Sequence, residues 1–332
     1  MTTKPLIVRV RNWVGDVVLG LPALRLLEQH GHSLHIVGRG KWTPSLLAGY
    51  PWPVQVQPKA LGERVAQFKA MRDECLRLDP GFRRRENAFV LPQSFSSALE
   101  MRLAGLKAVG YGQEGRSFLL KRAEPCTYGG SALLSYWELA LRFLRLDLST
   151  PPPSHIDLQV NAAKAAEAES LLQRHGIGPG YVMICPFAAG LATERKLEKK
   201  WPGFAEFVRQ APGALRRQLV VYPGPGEHEQ ARSLYPDAVM LEGSDVAVYA
   251  ALLQRAVLVV ANDTGPGHMA GALGVPTLSV LGPTVAHQWA PYGPRVHVVQ
   301  HPQPPDGATV WPGVDEVMAQ AQRMLAEHAA TR

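Results

Sequence analysis

Polar residues able to do chemistry lie at turns that follow short apolar runs. Val257-Leu-Val-Val260 leads through Asn262-Asp263-Thr264-Gly265-Pro-Gly-His268 into a small-residue segment, Ala270-Gly-Ala272, closed by Gly274. The β-branched run reads as a buried parallel strand and the small residues as a short helix. A helix starting at the carboxyl end of such a strand points free N–H groups and its positive dipole end outward, which suits an anion. Local roles are equally open: Asp263 or Thr264 as the N-cap, His268 as a satisfied first-turn histidine. A second turn, Arg11-Asn-Trp-Val-Gly-Asp16, follows the first strand, Leu6 to Val10. A carboxylate there could take a proton from an acceptor hydroxyl, or could cap the next helix. A third, Pro223-Gly-Pro-Gly-Glu-His-Glu229, offers Glu227 and Glu229, either suited to vicinal hydroxyls or to a helix's first turn.

These turns need strands and helices to hold them. Strand and helix patterns alternate through both halves of the 332 residues, the grammar of doubly wound α/β domains. Asp147 to His155 contains Pro151-Pro-Pro153, which cannot continue a helix, so residues 1–150 and 151–332 are expected as two domains. The expected fold is α/β, two Rossmann-like domains facing a central cleft, with Asp16 at its rim. Val314 to His328 reads as a terminal helix that could pack back on the first domain. Trp201 to Arg209 reads as a helix with Pro202 in its first turn.

Composition excludes several classes. No Gly-x-Gly-x-x-Gly follows the first strand and no Walker A sequence is present, which argues against dinucleotide oxidoreductases and P-loop enzymes. Cys75, Cys126 and Cys185 are too scattered for a disulfide framework or a zinc site, so no metal is expected. No apolar run spans a bilayer, and Arg9 and Arg11 interrupt the only early one, so a cytoplasmic protein is expected. The net charge of +7 favours a polyanionic partner, whether nucleic acid, an anionic leaflet or a phosphorylated substrate. The basic groups lack interleaved aromatics, so no nucleic-acid motif is evident.

Asp263-Thr-Gly-Pro-Gly-His268, Gly274-Val-Pro-Thr277 and Leu281-Gly-Pro-Thr284 resemble the signature of the bacterial ADP-heptose:lipopolysaccharide heptosyltransferases, glycosyltransferases of family 9 with the GT-B fold. Trp13-Val-Gly-Asp16 and Leu91-Pro-Gln-Ser-Phe-Ser-Ser-Ala98 are especially like the enzymes that add the second heptose. The resemblance implies Asp16 as general base. The family's loop ending in Lys-x-Trp-Pro places the diphosphate-binding lysine on Lys199, a catalytic role needing no metal, with Lys200 as a neighbour that could share it. Thr193 in the same loop, Glu229 toward the nucleotide ribose, Asp263 toward the donor sugar, Thr264 and Gly265 toward the diphosphate, and His268 orienting the turn complete the implied donor site. Ser94, Ser96, Arg116 and Lys121 could meet phosphate or sugar oxygens of the acceptor.

The implied reaction is inverting transfer of heptose from ADP-L-glycero-D-manno-heptose, a substrate rather than a cofactor, to a hydroxyl of the lipopolysaccharide inner core. The acceptor is a phosphorylated Kdo/heptose lipid A core, met at the cytoplasmic face of the inner membrane through peripheral contact. The alternatives are a related GT-B transferase acting at another core position or using another nucleotide sugar, and a binding protein without turnover. The lengthened loop before Trp201 and the Pro-rich segment from His301 to Pro312 depart from the family pattern.

Overall fold

A computed structural model of the chain describes residues 3–126, 130–188, 191–192, 197–213, 218–243, 245–304 and 308–330. The chain divides into two compact units, Met1–Pro153 and Ser154–Arg332, within the proline-rich segment.

The first unit contains β1 (Lys4–Arg9), α1 (Val14–Gln29), β2 (His32–Gly38), α2 (Thr43–Leu46), β3 (Val54–Val56), α3 (Leu61–Leu78), β4 (Ala88–Val90), α4 (Phe95–Leu103), β5 (Ala108–Tyr111), β6 (Arg122–Glu124) and α5 (Ala132–Leu144). Its strands form one parallel sheet in the order β3-β2-β1-β4-β5-β6. Central β1 pairs on both sides, Ile7 opposite His35 in β2 and opposite Ala88 in β4. Both faces of a parallel sheet are covered by helices, which is why β1 and β4 read as apolar runs without alternation. One face packs Ile7, Val37 and Val90 against Phe68 and Met71 of α3 and Met101 of α4. On α1 lies α5. The edge strand β6 is too short and polar to show in the sequence. Its Arg122 is held by Glu86 at 2.9 Å.

The second unit contains α6 (Ala162–Arg174), β7 (Val182–Cys185), β8 (Leu191–Ala192), β9 (Leu197–Glu198), α7 (Phe204–Gln210), β10 (Leu219–Val221), α8 (His228–Leu234), β11 (Val239–Met240), α9 (Val246–Arg255), β12 (Leu258–Ala261), α10 (Gly265–Ala272), β13 (Thr277–Val280), α11 (Ala286–Trp289), β14 (Val296–Val299) and α12 (Val314–Ala330). Its main sheet is again parallel, in the order β11-β10-β7-β12-β13-β14, while β8 and β9 form a small antiparallel pair. The C-terminal helix α12 lies against α7, β12 and β13 of its own unit. Helix α7 begins at Phe204, later than the sequence suggests, so Pro202 precedes the helix. Trp201 is buried edge-on against Phe204 at 5.1 Å, and this packing sets the turn.

Each sheet therefore has the doubly wound order third, second, first, fourth, fifth, sixth along its own stretch of chain. Strand order reverses between β1 and β4 in one unit and between β7 and β12 in the other. Loops diverge at such a point, leaving a crevice at the carboxyl ends of the strands. Among the described residues no helix is long and apolar enough to cross a membrane.

Candidate functional site

In the first unit the reversal point is flanked by the start of α1 after β1, which carries Asp16, and by the turn and start of α4 after β4, which carry Ser94 and Ser96. Trp13 holds the N-cap position of α1, so Asp16 sits in the first turn and is not the cap. Its side chain is buried, and two donors fall on the same oxygen. The Tyr136 hydroxyl donates to Asp16 Oδ1 at 2.6 Å, and Arg11 Nε donates to Oδ1 at 3.4 Å. Burial first, then the charge of Asp16, holds the Tyr136 phenol well above its usual pKa, so it remains a donor. Tyr136 belongs to α5, 120 residues further along the chain, and its residue type alone did not mark it.

Ser94 and Ser96 are exposed, with their hydroxyls 3.3 Å apart. Ser94 occupies the N-cap position of α4 without a side-chain cap bond. Arg116 differs from the expectation of a surface ligand contact. It is fully buried, and its guanidinium donates to Tyr111 O at 2.8 Å, Pro92 O at 2.6 Å, Ser94 O at 3.0 Å and Ser97 Oγ at 2.9 Å. Desolvation brings its pKa down to about 10. Carbonyls of a bent turn have no ladder partners, and the five-donor fork of arginine satisfies several together. Arg116 thus braces the turn that displays Ser94 and Ser96. Lys121 is exposed at the start of the edge strand.

In the second unit the reversal point is built around Asp263, which directly follows Asn262 at the end of β12. Lys199 Nζ lies 2.6 Å from Asp263 Oδ2, Thr284 Oγ1 donates to the same oxygen at 2.9 Å, and His268 Nε2 is 3.5 Å from Oδ1. Burial alone would raise the Asp263 pKa, but the His268 contact and the Lys199 ammonium outweigh it and bring the carboxyl down to about 2. His268 is buried, and its other ring nitrogen, Nδ1, has no partner among the described residues. Thr264 takes the N-cap position of α10 and Gly265 opens the helix. The first N–H groups of a helix have no intrahelical partner, so this end keeps donors for an anion.

Why Lys199 reaches Asp263 is explained by Asn262, a turn residue whose type alone implies no role. Asn262 is fully buried. Its Oδ1 accepts from Trp201 N at 2.8 Å and its Nδ2 donates to Pro186 O at 2.8 Å. Both ends of the loop that precedes α7 are thereby tied to the end of β12. The Trp201 indole adds a bond to Pro312 O at 2.9 Å. Thr193 lies outside the described residues, while Lys200 is exposed. Glu227 is turned back on its own loop, accepting from Gly224 N at 2.7 Å, and Glu229 stands exposed in the first turn of α8. Gly267 and Gly271 let α10 lie close to its surroundings: a Cβ on Gly267 would come 3.2 Å from Asn262 O, and one on Gly271 would come 2.9 Å from Val296 Cγ2.

Comparison with known proteins gives the geometry its context. The chain is 25% identical over 315 residues to lipopolysaccharide heptosyltransferase 2 of Escherichia coli K12, covering 87% of this chain and 86% of that protein. The structure of E. coli ADP-heptose lps heptosyltransferase II superposes with a TM-score of 0.70 at 21% identity, covering 98% of both chains. E. coli heptosyltransferase WaaC with ADP-2-deoxy-2-fluoro heptose superposes with a TM-score of 0.64 at 22% identity, covering 98% of this chain and 99% of that one. The two parallel α/β units are those of the GT-B heptosyltransferases. Residues 81–309 match glycosyltransferase family 9 (heptosyltransferase), and with more than half of its length matched the chain belongs to that family of enzymes.

Proposed function

We propose that this glycosyltransferase moves heptose from ADP-L-glycero-D-manno-heptose to a sugar hydroxyl of the lipopolysaccharide inner core, adding the second heptose, with inversion and without a metal. The observation that carries the reading is the clasp of Lys199, Thr284 and His268 around Asp263 at the start of α10. An ammonium held beside a helix N-terminus offsets the charge that develops on a departing diphosphate. Asp263 fixes that ammonium and faces the donor sugar, Thr264 and Gly265 present backbone donors to the diphosphate, and exposed Glu229 accepts from the ribose hydroxyls. Asp16 takes the proton of the acceptor hydroxyl as its oxygen bonds to the anomeric carbon and the carbon–oxygen bond to the diphosphate breaks. Ser94 and Ser96 are the polar groups beside it that face an acceptor sugar. The net charge of +7 suits a phosphorylated Kdo/heptose lipid A acceptor and a peripheral position at the cytoplasmic face of the inner membrane.

The test is transfer by the purified protein from ADP-heptose to lipid A core acceptors truncated at successive sugars, with EDTA present. Product is expected on the acceptor carrying one heptose, and Asp16→Ala should abolish it. Product on a different truncation would move the site of transfer, and binding of ADP-heptose with no transfer to any acceptor would leave only a nucleotide-sugar binder.

A further inference from the structure

Asp16 lies in the first turn of α1, and α5 crosses that helix. Gly20, one turn beyond Asp16, faces that helix: a Cβ there would lie in ordinary van der Waals contact, 3.8 Å from Tyr136 Cδ2 and 3.5 Å from Leu91 Cδ1. The Tyr136 ring therefore lies against Gly20, and its hydroxyl reaches back one turn to Asp16. The start of α5 is itself anchored, since Tyr111 at the end of β5 donates its hydroxyl to Ser135 O at 2.5 Å. Both Tyr111 and Tyr136 are buried.

The two donors on Asp16 leave its carboxylate divided. Oδ1 accepts from Tyr136 and Arg11, and Oδ2 has no donor among the described residues. We infer that Tyr136 is a positioning residue for the transfer reaction, fixing the Asp16 carboxylate through Oδ1 so that Oδ2 is the atom that receives the acceptor's proton. The inference rests on Asp16 being the general base. In the step, the acceptor O–H proton passes to Oδ2, the acceptor oxygen bonds to the anomeric carbon, and the bond to the diphosphate breaks with its electron pair leaving on ADP. Tyr136 keeps its proton throughout, and its hydrogen bond is strongest while Asp16 is charged.

Arg11 on the same turn and Tyr136 on α5 are the charged or titratable groups facing Asp16, and Arg116 acts one step further out, on Arg11. Losing a donor to the charged form disfavours it, so removing the Tyr136 hydroxyl should move the acid limb of the pH–rate profile to higher pH. A single charge-assisted bond corresponds to a displacement of about one pH unit, with kcat on that limb falling about tenfold.

The experiment compares kcat and the donor KM across pH for the wild type, Tyr136→Phe, and the protein with 3,5-difluorotyrosine placed at position 136. The fluorinated phenol is the stronger donor and keeps the ring. Expected are an upward displacement of the acid limb in Tyr136→Phe, a downward one with difluorotyrosine, and an unchanged donor KM in both. A role confined to packing would move neither limb, and superimposable profiles for all three proteins would overturn the inference. Asp16→Asn separates the two levels. If it is inactive while the three profiles coincide, the base stands and the role of Tyr136 fails. If it retains wild-type kcat, the base assignment fails and the inference with it.

Discussion

Asp263 is the residue whose surroundings say most about it. A carboxylate that is nearly out of solvent yet has its pKa lowered to about 2 must be overcompensated by its partners, here His268 and Lys199. Its folded value lies below the ordinary carboxylate value, so its contribution to stability is present above that ordinary value and is lost as pH falls toward 2. The difference corresponds to about 2 kcal/mol. Urea midpoints measured from pH 5 down to pH 2 should therefore fall more for the wild type than for Asp263→Asn. Equal slopes would mean that the clasp does not form in solution. Lys199→Ala should lower kcat by about 100-fold or more, the typical cost of removing a group that meets developing charge. If only the donor KM changed, Lys199 would be contributing to ground-state binding alone. Asp16, Asp263 and Lys199 could be singled out in the sequence because motif and turn position marked them. Tyr136 and Asn262 could not, since a tyrosine in an amphipathic helix and an asparagine at a strand end have ordinary structural reasons to be there.

At the scale of elements, the donor-side loop is held by one buried amide. Asn262→Leu should leave Trp201 N and Pro186 O without their partners and cost about 2–4 kcal/mol across the two bonds. The same substitution should raise the donor KM if the loop carries Lys199 to its place. Thermal unfolding and donor titration check the two effects separately. Helix α10 provides an opposite case, in which added bulk does the damage. In Gly271→Ala the new methyl would meet Val296 and come 3.1 Å from the carbonyl of Tyr292, so the helix must shift at a cost of about 1–3 kcal/mol. That this stretch of small residues is a short helix was legible. That their neighbours include the segment around Tyr292 and Val296, beyond β13, was not, because it depends on how the later chain returns. Arg116 shows the converse, a basic residue at a loop that reads as surface and is enclosed by the carbonyls of the turn it supports.

For the whole molecule, each unit has its own sheet and its own buried apolar cluster. Residues 154–332 expressed alone should therefore fold cooperatively, as a domain with its own core does. Circular dichroism and a single urea transition would show it, and an unfolded fragment would mean that this core is insufficient without the first unit. The excess of basic residues should appear as binding of the full chain to vesicles of anionic lipid that weakens as salt rises from about 0.05 M to about 0.5 M, where the Debye length becomes short.

The sequence by itself determined the periodicities: apolar runs for parallel strands, a proline break between halves, and polar turns after β1, β10 and β12. These follow from local sterics and solvation, so they are written residue by residue. Only the tertiary structure decided the strand order, which places the Asp16 turn beside the Ser94 turn and the Asp263 turn beside the loop of Lys199. It alone brought Tyr136 to Asp16, Asn262 to Trp201, and the backbone of the β4 turn around Arg116. Such pairings depend on how helices cross and where loops return, and no local preference encodes a contact between residues separated by tens of positions in the chain.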